Sequence, residues 1–253
     1  ASNNTALGHV AMNANTTGLR NTAVGANALD ALTTVNDCTA VGRGALSANT
    51  TAAQNTAVGS ASLETNTTGI NNVALGFAAL NNSTTSSDNT GIGTLALTAN
   101  TTGRQNTSVG KAAGLVVTTG IHNTFMGAFA GDGTDDGGFN VAIGSSALSA
   151  NCGDGNTAIG HAAGTAITGT LNSLIGVNAG FALTSGSNNL FLGTDSGRSG
   201  SPGGNFVTAG NAIVLGDENI SEANIQVDWT VASDARDKTD FTALDLGLDF
   251  VKA

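Results

Sequence analysis

Along most of this chain an aliphatic residue stands directly before a glycine, and that pair returns at a fixed interval. With the glycine as position zero, copies are anchored at Gly8, Gly25, Gly42, Gly59, Gly76, Gly93, Gly110, Gly127, Gly144, Gly160, Gly176, Gly193 and Gly216. The first eight steps are 17 residues; then come 16, 16, 17 and 23. A short fixed period is the mark of a solenoid, in which each copy leans on its neighbours and buries no core alone.

Two adjacent columns predict the strand. The residue before the glycine is aliphatic or Met in every copy, and Val24, Val41, Val58, Leu75, Ile92, Val109, Ile143, Ile159, Ile175 and Leu192 are expected to form the core. Two before the glycine the residue is never charged: Ala23, Ala40, Ala57 and Ala74 early, Phe125, Leu174 and Phe191 later. Neighbouring strand residues point to opposite faces, so both faces look dry. A strand buried on both sides needs a second body over its outer face, most simply further copies of the chain. Four after the glycine, Leu29, Leu46, Leu63, Leu80, Leu97 and Leu148 give way to Gly114, Gly131, Gly164, Gly180 and Gly197. That column predicts a second strand with a core leucine early and a tighter turn late.

Four before the glycine, Asn fills eleven of thirteen copies, the exceptions being Cys38 and Ala212. Coils stacked at about 4.8 Å would set like over like and let the amides form ladders. The same residues also suit a plain turn. Segments such as Asn66-Thr67-Thr68-Gly69 and Asn100-Thr101-Thr102-Gly103 read as the solvent-facing bend. The expected fold is therefore all-β, a parallel β-solenoid over residues 1–216. Twelve steps at that rise give a shaft on the order of 60 Å long.

Composition narrows the function. Charged residues are 10% and aromatics 4%, and nine of the eighteen acidic residues lie from Asp217 to Asp249. No basic patch is present to follow a phosphate backbone, which speaks against nucleic-acid binding. No 18-residue apolar run predicts membrane insertion. Residue 1 falls inside a repeat, as expected of a piece of a longer chain.

Little in the repeats suggests chemistry. Cys38 and Cys152 stand about seven coils apart, too far for a disulfide, and are read as isolated thiols. His9 and His161 share the position after the glycine, and His122 does not. Asp132, Asp135 and Asp136 cluster in one bend, a weak candidate for a hard cation, but without EF-hand spacing. No cofactor is expected, and no Ser/His or paired-carboxylate constellation supports a polysaccharide-cleaving enzyme. The long last step, with Ser199-Gly200-Ser201-Pro202-Gly203-Gly204, should bulge from the shaft as a binding loop.

After Gly216 the period ends. Residues 217–232 contain a strand-like alternation, Ile225, Val227, Trp229 and Val231, read as a neck. Residues 233–253 place Leu244, Leu246, Leu248 and Val251 among Asp245, Asp249 and Lys252, a pattern that predicts the start of a helix. The run Trp229 to Lys238, containing Ser233-Asp234-Ala235-Arg236-Asp237-Lys238, with Thr239-Asp240-Phe241 and Leu246-Gly247-Leu248-Asp249-Phe250-Val251, resembles the opening of the endosialidase-type intramolecular chaperone domain, the S74 peptidase family, of bacteriophage tail fibres and tailspikes.

The 17-residue Asn-Thr-Ala-Val-Gly repeats also resemble those preceding that domain. They are similar, more loosely, to the head β-rolls of trimeric autotransporter adhesins. The resemblance implies a left-handed roll, a homotrimer, and self-cleavage between Ser233 and Asp234 with Ser233 as nucleophile and Lys238 as base. About 20 residues follow Ser233, so this is the opening of such a domain and cleavage by this chain alone is not expected. The expected function is a trimeric phage tail fibre, outside the cell on the virion, that meets a host-surface receptor and other tail or baseplate proteins. The alternative is a bacterial surface adhesin.

Overall fold

The computed structural model describes residues 2–224, and the strand and helix expected beyond them, with Ser233, Asp234 and Lys238, lie outside the described residues. Residues 1–219 form one compact unit and residues 220–253 another; the described part of the second, 220–224, has no regular structure. The first unit is a parallel β-solenoid. Among the described residues it has thirteen three-residue strands and no helix, the strands running from β1 (Thr5–Leu7), β2 (Thr22–Val24) and β3 (Thr39–Val41) to β11 (Ser173–Ile175), β12 (Leu190–Leu192) and β13 (Ile213–Leu215). They form one sheet in chain order. Thr22 pairs with Thr39, and the same alignment survives a 16-residue step, Val141 with Thr157, and the 23-residue step, Leu190 with Ile213. Residues gained or lost are absorbed in the bends, so the rungs stay in register.

The expected core column is on the wrong side. Ala23, Ala40, Ala57, Phe125, Leu174 and Phe191 are fully buried inside the coil, together with the leucines four after the glycine and, from Ala28 on, the alanines three after it. Val24, Val41, Val58, Ile92 and Val109 are half-buried. Leu75 and Leu192 are 46% exposed, and Ile143, Ile159 and Ile175 are 37% exposed. All ten face outward. The reason is width: a three-residue strand followed at once by a turn encloses a narrow interior. It holds one leucine opposite an alanine, but not a large side chain from both. The column with room to be large is the one outside.

Three further expectations change. The position four after the glycine lies in a turn, not a strand, and its leucines adopt left-handed backbone, φ 50° at Leu29 and 51° at Leu46. Its glycines are no tighter turn. A Cβ on Gly131 would sit 2.6 Å from the Phe125 ring, one on Gly164 2.7 Å from Leu174, and one on Gly197 2.4 Å from Phe191. Wherever the strand carries a bulky inward residue, the flanking coils offer glycine. In the bends Thr68 is exposed, but Asn66, Asn100 and Gly69 are buried; the amide of Asn66 accepts from and donates to Gly69.

The anchor glycines are fixed by the stack itself. Gly25 has φ +134°, and a Cβ there would lie 2.5 Å from the carbonyl oxygen of Gly42, one coil on. That backbone region is open to glycine alone.

The asparagine column supplies the expected ladder, with backbone as its main partner. Asn106 Oδ1 accepts from the backbone N–H of Asn123 at 3.0 Å, and Asn106 Nδ2 donates to the carbonyl of Gly120 at 2.8 Å. Asn72, Asn89 and Asn172 repeat both bonds. Each amide therefore ties the strand entrance to the next coil at two points, the strand entrance there and the bend just before it. A buried polar column is affordable only when its hydrogen bonds are made.

Candidate functional site: the outer face of the sheet

Two rows of side chains share the outward face of every strand, those one and three before the glycine. The first row is aliphatic or Met throughout. The second is Thr in eight of thirteen strands, Val73 and Val141 in two, and Ser173, Leu190 and Ile213 in the last three. No charged residue occurs in either row. Exposed members run the length of the sheet: Leu7, Leu75, Met126, Ile143, Ile159, Ile175, Leu192 and Leu215. An exposed apolar strip of this extent is the surface that a partner would cover.

A third row, five before the glycine, forms the rim. Arg20 Nε and Nη2 donate to the two carboxylate oxygens of Asp37 at 2.6 and 2.9 Å, and that hydrogen bonding holds the Asp37 carboxylate below its usual range. Further along, Asn71 donates to Asp88, His122 stacks on Phe139 with centroids 4.9 Å apart, and Asn188 Nδ2 donates to Asn211 Oδ1 at 2.7 Å. The rim thus passes from charged to aromatic, aliphatic and amide chemistry towards the C-terminal coils. There Leu171, Ser173, Asn188, Leu190, Asn211 and Ile213 line a recess of about 350 Å³ on the outward face.

The other candidates stay separate. Among the described residues no group of three His, Cys, Asp or Glu side chains is placed to hold a metal. Asp135 accepts from the Thr118 hydroxyl and Asp136 is exposed, while Asp132 is half-buried with an unpartnered Oδ1, its pKa pushed up by burial. His9 and His161 are exposed on the surface. Cys38 and Cys152 are buried free thiols with pKa values raised chiefly by burial. Cys38 Sγ donates to the Ala52 carbonyl at 3.3 Å, standing in for the missing amide.

The long step only partly bulges. Pro202 and Gly203 are exposed, but Ser201 turns in to accept from the Gly197 N–H and Phe206 packs edge-on against Phe191. Beside it Asp195, whose carboxylate is held low by hydrogen bonds from Arg198 and Asn178, shares a polar recess of about 270 Å³ with Arg198, Ser199 and Glu218. No helix among the described residues is long and apolar enough to cross a membrane.

Sequence reasoning missed the outward role of the aliphatic row and the rim beside it. The available signal was parity. The asparagine and the small residue two after it share one face, and a ladder of amides holding backbone belongs inside a narrow coil. The chain matches no protein-family model and no curated protein.

Proposed function

We propose that this chain is the shaft of a homotrimeric fibre, of the kind that carries bacteriophage tail tips to a host-surface receptor, with its aliphatic strip turned towards sister copies. One observation carries the reading: an outward face uncharged from Leu7 to Leu215, with one of its two rows aliphatic or Met throughout. Water is a poor neighbour for such a strip, and the rise between rungs is fixed by strand pairing at about 4.8 Å. A partner that covers it along its length must have the same rise, which another copy has by construction. The number three, the phage setting and a downstream chaperone rest on the resemblance of the repeats and of residues 229–251. A bacterial surface adhesin would use the same shaft.

Light scattering on the purified chain tests the assembly. Three copies of 24.7 kDa give about 74 kDa; a mass of one chain at every concentration would overturn the reading.

A further inference from the structure

We propose that the self-association surface is concentrated in the last three coils, where a second copy inserts an aliphatic side chain into the recess beside β12 and β13. This rests on the shaft reading above and goes further by saying where the contact is made.

The outward face is not uniform along the axis. Over most strands the row three before the glycine is threonine, whose hydroxyl keeps half the face wet. At β12 and β13 it becomes Leu190 and Ile213, 37% and 66% exposed, beside Leu192 and Leu215 at 46% and 44%. Both rows are then aliphatic. Leu171, 62% exposed, extends the same chemistry to the rim.

The face is also concave here, beside two strands whose outward rows are both aliphatic. The recess takes Leu171, Leu190 and Ile213 as its apolar walls, with Ser173, Asn188, Asn189 and Asn211 as its polar lining. The rim amides Asn188 and Asn211 are bonded to each other through Asn188 Nδ2 and Asn211 Oδ1. No charged side chain lines it. With no charge to attract an ionic ligand, the three aliphatic walls favour an aliphatic side chain, which loses water against them. The strip of a second copy presents such side chains at the matching rise. Well-packed pockets of this kind concentrate the energy of an interface in a few residues.

The test exchanges aliphatic residues for the threonine that most coils already carry in this row, so the strand tolerates the change. The double variant Leu190→Thr/Ile213→Thr is compared with Val73→Thr/Val141→Thr, which makes the same kind of exchange in the same row of earlier coils. Association is measured by sedimentation over a concentration series, with circular dichroism to confirm the β fold. The late pair is expected to weaken association at least about tenfold and the early pair less than about threefold. If the early pair weakens it as much as the late pair, the localisation is wrong and the shaft reading stands. If the parent chain never associates, the shaft reading falls and this inference with it.

Discussion

Phe125 and Gly131 occupy one shared volume, and that sharing is the clearest residue-scale rule in the molecule. Phe125 is flanked by Gly114 and Gly131, Leu174 by Gly164 and Gly180, and Phe191 meets Gly197; leucine stands in that turn column only beside Ala, Gly91 or Ser108. Gly131→Leu should therefore destabilise by about 1–3 kcal/mol through overpacking, and Phe125→Ala by about 3–5 kcal/mol through the cavity left. The double variant restores the pairing of the early coils and should cost clearly less than the sum, read as a coupling energy from urea midpoints. Asp132 makes a second case. Burial raises its pKa, so the protonated form suits the fold and stability is lost as pH rises through the carboxylate range. Asp132→Asn is expected to melt higher than the parent at neutral pH, with the difference vanishing near about pH 3; an unchanged difference across that range would show that ionisation is not the cause.

At the scale of the element, each three-residue strand is too short to be stable alone and is held by the amide that precedes it. One asparagine satisfies a backbone N–H in the next coil and a carbonyl in the bend just before it, two groups that would otherwise be buried unpaired. Cys38 breaks the series: its thiol replaces the amide towards Ala52, and only sulfur faces the Asn55 backbone. Cys38→Asn should therefore stabilise the chain by about 1 kcal/mol, and Asn106→Ala should destabilise it by about 1–3 kcal/mol, both measurable as shifts in denaturant midpoint. The strands and ladder were legible in the sequence because each recurs in one column. The turn four after the glycine was not, because leucine in left-handed backbone contradicts its own preference and is held there by packing.

At the scale of the whole molecule, a solenoid passes stability only between neighbours. A break in mid-shaft should then be felt locally. A Cβ on Gly110 would lie 2.5 Å from the Gly127 carbonyl oxygen at φ +139°. Gly110→Ala is expected to speed amide exchange through roughly residues 90–143 while the coils of β2, β3, β11 and β12 keep their protection. Uniform loss along the chain would mean a single cooperative unit instead. The candidate site was half legible for a related reason. Two dry columns announced that the sheet has an apolar outer face, but the step from Thr to Leu190 and Ile213 matters only once both are known to lie outside, beside a recess.

The sequence by itself determined the period, the parallel rungs and the asparagine ladder, because each is a property of columns and stacking preserves columns. The tertiary structure decided which column is inside. Both alternating faces were apolar, so hydrophobicity could not choose between them. The choice fell to the width of a coil closed by tight turns, which admits alanine opposite leucine, or phenylalanine opposite glycine, and leaves the valines and isoleucines outside.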